Sequence, residues 1–286
     1  MQHGKNFKTT VALVGAGPGD PELLTLKAAR LLREAEVVIT DRLVSEDILK
    51  AHVSEGALVI FAGKQCRRGK STPQETINEL IVEHALAGKK VVRLKGGDVS
   101  IFSNILDELL ALKAYGIAYE IVPGITAALG AAAYAGMPLT AREHSTAVRL
   151  LTYYKKEILS DAYWAELAQT EDTLVFYMSG DTSLELIQKL IAHKIPADRA
   201  VAVIEQATTP LQQVRISDIY DYEQNLGQET YLSPALLIIG KVVHLHKQFA
   251  WLPNSASREL YFKPVGSQPR SVQASHIKQA PHVSRA

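Results

Sequence analysis

Short apolar runs that end on polar or glycine residues, each followed by a longer amphipathic stretch, decide what this chain can fold into. Val11–Val14, Val37–Thr40, Leu58–Phe61 and Val91–Leu94 are such runs. A strand buried on both faces reads as continuous apolar sequence, so the alternation specifies α/β architecture with a largely parallel sheet. Helices are predicted over 21–34, 73–87, 102–115 and 125–135, with a further strand over 119–122. Asp20 is placed to cap the first helix and Pro21 to open it, where a missing N–H costs nothing.

A second series starts near residue 146. Strands are predicted over 148–151, 174–177, 200–204, 211–215 and 235–239, and helices around 162–169, 184–193 and 216–225. Met137-Pro138 ends the helical pattern before that series. The expected division is therefore a flexible 1–8, an α/β domain over 9–140 and a second over 141–250. No internal repeat is visible.

Composition narrows the function. A chain of 286 residues can bury two cores. With 31 basic against 30 acidic residues, it lacks the broad positive surface that nucleic acid requires. The single cysteine, Cys66, excludes an intramolecular disulfide and Cys-rich metal sites, so no metal is expected. The first ten residues are polar, and Pro123 and Pro138 break the stretch of lowest charge. No membrane segment is expected, and a cytoplasmic setting is predicted. Residues 263–286 hold four Lys/Arg, no acid, and many Ser, Gln, Pro and His. Such a segment buries too little apolar area to offset its ordering entropy, so disorder is predicted there.

Three glycine-bearing turns close predicted strands: Gly15-Ala16-Gly17-Pro18-Gly19-Asp20, Gly96-Gly97-Asp98 and Pro123-Gly124-Ile125-Thr126-Ala127. Ligands of open α/β sheets gather at the carboxyl ends of strands, so the three turns predict one shared pocket. The first imitates a dinucleotide fingerprint, with Asp41 as the ribose acid. However, Asp20 stands where the third glycine should be, and a carboxylate at a helix N-terminus repels a pyrophosphate. Pro18 also removes an amide donor. The turn suits a ligand without phosphate.

These turns, with Pro21–Ala28, Asp41-Arg42-Leu43-Val44, Gly63-Lys64, Pro73-Gln74, Val92–Asp98 and Val122–Leu139, resemble the tetrapyrrole methylases over about residues 9–247. The resemblance implies two α/β domains with a cofactor cleft between them, a homodimer, and S-adenosylmethionine as methyl donor. It implies methylation of two pyrrole carbons of uroporphyrinogen III, giving precorrin-2 on the way to sirohaem and cobalamin. A sulfonium with an amino-acid end has no phosphate, in keeping with aspartates beside the turns.

By the same resemblance, Pro18, Gly96, Gly97, Asp98, Ile101, Thr126, Ala127, Met178 and Ala207 line the donor site, while Asp41 and Lys64 transfer protons. Ala207 stands where the family more often has glycine. Uroporphyrinogen III carries a carboxylate on every side chain, so cations are expected at the mouth of the site. Arg67, Arg68, Lys70, Arg142 and Arg149 are the candidates, with Glu108 as a retained acid of the motif. Asn104 stands where the family has an arginine, and Ile105 and Leu106 replace glycines, which should extend helix there. A methylase of another tetrapyrrole, or a module that binds porphyrinoid or donor without turnover, is the alternative.

Overall fold

The computed structural model describes residues 11–63, 72–153, 159–264 and 271–278. The chain divides into two units, Met1–Thr126 with Phe262–Ala286, and Ala127–Tyr261.

The first unit runs β1 (Val11–Gly15), α1 (Leu26–Glu34), β2 (Val37–Thr40), α2 (Glu46–His52), β3 (Leu58–Phe61), α3 (Gln74–Leu86), β4 (Val91–Lys95), α4 (Ile105–Ala114) and β5 (Tyr119–Val122). Its strands pair in parallel in the order β3-β2-β4-β1-β5. Alternate residues of β1 feed opposite faces. Ala12 and Val14 pack with Leu32, Ile48 and Leu94, whereas Val11 and Leu13 pack with Ile77, Ile81 and Leu112. Parallel pairing carries the turns after β1, β2, β4 and β5 to one edge of the sheet, as the sequence led us to expect.

Local chemistry moved several boundaries. The predicted helix over 21–34 is a 3-10 turn, Pro21–Leu23, and then α1, because Leu24 is extended and Thr25 Oγ1 caps anew by accepting Ala28 N–H at 3.2 Å. α4 begins at Ile105 rather than 102, since Phe102 and Asn104 adopt left-handed backbone with φ of 50° and 54°. α2 was not foreseen. Its sequence signal is Ser45, whose Oγ accepts Asp47 N–H at 3.1 Å just ahead of two acids.

The second unit runs α5 (Ala127–Tyr134), β6 (Val148–Thr152), α6 (Asp161–Gln169), β7 (Thr173–Tyr177), α7 (Ser183–Ala192), β8 (Ala200–Glu205), β9 (Gln213–Asp218), α8 (Tyr222–Leu226), β10 (Ala235–Gly240) and α9 (His246–Phe249). The sheet order is β6-β7-β10-β8-β9, and only β6–β7 is parallel. The expectation of a largely parallel architecture fails here. β8 and β9 form a hairpin in register from Glu205↔Gln213 to Ala200↔Asp218. That pairing takes up 216–218, which periodicity had given to a helix. Trp164, Phe176, Tyr222 and Leu237 form the centre of this core. The division between units falls at 126/127 rather than within 136–145. The Gly/Ala-rich α5 packs on β10 and so belongs to the second unit.

The chain then returns to the first unit. β11 (Ser271–Gln273) pairs antiparallel with the edge strand β3, and α10 (Ala274–Lys278) follows. Ala274 is buried in the first core, with Val272 and Ile277 packed against it, and Lys263 pairs with Glu46 at 2.7 Å. The predicted disorder is thus wrong for 263–264 and 271–278. An unpaired strand edge and three well-spaced apolar residues order a segment whose composition argues against it. No helix among the described residues is long and apolar enough to cross a membrane.

Candidate active site

The glycine turns of the first unit form one packed cluster. Gly17 and Gly97 exchange backbone hydrogen bonds, with N···O distances of 3.0 and 2.7 Å. A Cβ on Gly15 would lie 2.6 Å from the Gly124 nitrogen, and one on Gly124 only 2.3 Å from the Gly97 oxygen. Side chains are excluded at this junction because backbone meets backbone. The loop after β2 joins from the other side: a Cβ on Gly96 would meet Leu43 at 2.8 Å.

Asp98 holds the cluster. One carboxylate oxygen accepts Gly124 N–H at 2.9 Å, and the other accepts Ser100 N–H at 2.8 Å together with the Ser100 hydroxyl. Burial alone would raise its pKa. The Ser100 hydroxyl and the backbone N–H groups of Gly124, Ser100 and Val99 outweigh that and hold it below its ordinary value. Pro18 is buried beside the turn, while Ile101 is half-buried. Asp20 caps the 3-10 turn by accepting Glu22 N–H at 2.8 Å, so a carboxylate already occupies the place a phosphate would need.

Beneath Asp41 lies a charged network that the sequence reading missed. Arg93 and Lys95 project from alternate positions of β4 and are 2% and 3% exposed, deep in an apolar sheet. Both reach Glu108 Oε1 on α4, at 2.9 Å each. Arg93 also donates to Asp41 Oδ1 at 2.5 Å and to the carbonyls of Ile39 and Leu94. Burial disfavours the charge on Arg93, but Asp41 and Glu108 reverse the effect and raise its pKa. Lys95 is pushed down by burial and then by Arg93, with Glu108 and Asp41 opposing. The network carries two positive and two negative groups, as buried charges demand. The signal was available: two cations inside a strand otherwise apolar require partners.

Asp41 therefore sits at the strand-end edge with its orientation fixed by Arg93 and about a quarter of its side chain exposed. Lys64, Arg67, Arg68 and Lys70 lie outside the described residues. Glu108 is corrected: its side chain is fully buried under Arg93 and Lys95, out of reach of a substrate. Arg149 is partly exposed and pairs with Asp172 and Glu166, both at 2.6 Å, and with Thr170, within the second unit. Arg142 is exposed in the 141–145 turn.

In the second unit, Tyr177 Oη accepts Ala128 N–H at 3.1 Å and so ties the start of α5, next to Ala127, to the end of β7. Met178 follows with a left-handed φ of 56° and 40% exposure. Leu236 opposes Tyr177 while Ala235 opposes Glu205, so the residues after β7 and β8 flank the start of β10 at one edge. Ala207 is there, between Gln206 and Thr208, whose φ angles are 50° and 65°. Thr126, the last residue of the first unit, is buried.

Strand-end turns of fused glycines, an acid gripping them and a charge-held aspartate mark this edge of an α/β unit as the candidate site. Residues 10–223 match the sequence profile of the Tetrapyrrole (Corrin/Porphyrin) Methylases, and the chain belongs to that family. A siroheme synthase of Acinetobacter baylyi is 48% identical over 246 residues, 86% of this chain and 53% of that one. A siroheme synthase of Stutzerimonas stutzeri is 46% identical, covering 84% and 51%. The chain thus spans about half the length of these curated relatives. Among solved structures, the Thermus thermophilus uroporphyrin-III C-methyl transferase complexed with S-adenyl homocysteine is 36% identical with a TM-score of 0.69, over 82% of this chain and 99% of that one. A cobalt precorrin-4 methyltransferase of cobalamin biosynthesis gives 0.72 at 27% identity, over 82% and 95%.

Proposed function

We propose that this chain is an S-adenosylmethionine-dependent C-methyltransferase that methylates uroporphyrinogen III at two pyrrole carbons to give precorrin-2, feeding sirohaem and cobalamin synthesis. The observation that carries the reading is the first glycine turn, whose helix-start N–H is already capped by Asp20. Such a turn fits a sulfonium with an amino-acid end and rejects a polyphosphate. Pro18, Gly96, Gly97, Asp98, Ile101 and Thr126 of the first unit, with Ala127, Met178 and Ala207 of the second, are the donor-binding residues. Gly96 and Gly97 admit close backbone approach, while Asp98 acts by holding Gly124 and Ser100.

The donor supplies a methyl on a sulfonium: the pyrrole carbon bonds to it, the methyl–sulfur bond breaks, and the electron pair stays on sulfur. The protein's part is to align the acceptor, exclude water and take up the proton that leaves the macrocycle. Asp41, oriented by Arg93 at the strand edge, is the proton-transfer group, with Lys64 as its counterpart. Arg67, Arg68, Lys70, Arg142 and Arg149 attract the carboxylates of the substrate.

The enzyme works as a cytoplasmic homodimer in this reading. Leu106 and Leu110 are exposed one turn apart on α4, and the edge strand β5 shows Tyr119 and Ile121. Such surfaces mark interaction sites, and a second copy is the cover proposed here. Anaerobic incubation with uroporphyrinogen III and S-adenosylmethionine should add two methyl groups by mass, and no methylated product would reject the reading. Asn104 in place of the family arginine favours one second reading, a different tetrapyrrole acceptor, which the same assay with a precorrin acceptor distinguishes.

A further inference from the structure

The turn that carries Ala207 is gripped by a segment lying beyond the matched family region. Gln206 is fully buried and its backbone is left-handed. Its carboxamide oxygen accepts Tyr261 N–H at 2.7 Å, and its nitrogen donates to the Glu259 carbonyl at 2.9 Å. At the other end of the turn, Gln212 accepts Ser255 N–H at its carbonyl (3.1 Å), while its side-chain oxygen accepts Thr208 N–H (2.8 Å). Asn254 completes the grip. Its amide pairs with both backbone groups of Val214, at 2.6 and 2.9 Å, as a neighbouring strand would.

Residues 254–261 have no regular secondary structure, and none of them belongs to the apolar core of the second unit. The polar contacts hold them in place. We infer that this strap fixes the donor turn, and that Gln206 is the positioning residue through which it acts on Ala207. The two residues that flank Ala207, Gln206 and Thr208, both in left-handed backbone, keep that shape only if their surroundings impose it. A turn ordered beforehand pays less on binding, so the strap raises affinity for the donor without touching it.

The inference rests on the donor-site reading above, and the test separates the two. S-adenosylhomocysteine is titrated calorimetrically into the wild-type chain, Gln206→Leu and Asn254→Ala. No binding by wild type defeats the donor-site reading itself. With wild type binding, Gln206→Leu should weaken affinity about tenfold, the effect of losing its hydrogen bonds to Tyr261 and Glu259 of the strap together with the longer one to the Leu211 carbonyl. Asn254→Ala, remote from the turn and exposed, should weaken it about threefold, as expected for a net loss near one hydrogen bond. In turnover, KM for S-adenosylmethionine should rise while kcat at saturation holds, whereas a simple loss of folded protein would lower kcat at constant KM. Folded variants that bind within twofold of wild type would overturn the strap's role. Should Gln206→Leu fail to fold, Asn254→Ala decides alone.

Discussion

Arg93 grips Asp41 from below, its Nη2 2.5 Å from the carboxylate, while its Nε holds the buried Glu108. The proposed proton-transfer acid is therefore the exposed tip of a network rooted in the core. Removal of either end should have different consequences. Asp41→Ala should abolish methyl transfer yet leave S-adenosylhomocysteine affinity intact. Arg93→Leu strands Glu108 with Lys95 alone and should cost about 3–5 kcal/mol of stability. Urea denaturation beside a single-turnover assay reads both effects.

Asp98 predicts a pH dependence. Its pKa in the folded chain lies below the ordinary 3.8, so its contribution to stability is complete above that value and is lost as pH falls through the lowered one. Asp98→Asn should be less stable than wild type at neutral pH. The gap in urea midpoint between the two should close as the solution is acidified below 3.8.

Gly124→Ala tests the fused turns. The added methyl would meet the Gly97 oxygen at 2.3 Å, where backbone must give way. Overpacking of this kind costs about 1–3 kcal/mol. S-adenosylhomocysteine binding should fall more steeply than thermal stability, because the displaced backbone is that of the proposed donor site.

Deletion after Pro264 removes β11 and α10, and with them Ala274 and its neighbours Val272 and Ile277. Loss of this apolar cover should lower stability by about 2–4 kcal/mol, from burial of roughly two aliphatic side chains. Denaturation followed by Trp fluorescence is a poor probe here, because Trp164 and Trp251 both lie in the second unit. Hydrogen exchange at Val59, whose N–H points away from β2 toward β11, reports the exposed edge directly.

The first sheet was legible because buried parallel strands announce themselves as unbroken apolar runs, and its glycine turns because nothing else fits where backbones touch. The five strands of the second sheet were legible as well, but their antiparallel pairing was not. The β8–β9 hairpin depends on cross-strand register, and Ile216-Ser217-Asp218 reads equally well as the start of a helix. The tail misled because composition describes a segment in isolation, whereas Val272 is ordered by the open edge of β3. Glu108 was read as reaching a substrate, yet it is taken by Arg93 and Lys95 in the core. The pairing of Arg93 with Asp41 spans 52 residues, beyond any local pattern.

The placement of β11 also fixes an order of events during synthesis. Residues 127–261 leave the ribosome before Ser271, so the second unit is available to fold as a whole while the first still lacks its outermost strand. Its β3 edge waits until Ser271–Gln273 have been made. Vectorial folding usually completes the N-terminal unit first; here a strand of the first unit is made only after the whole of the second.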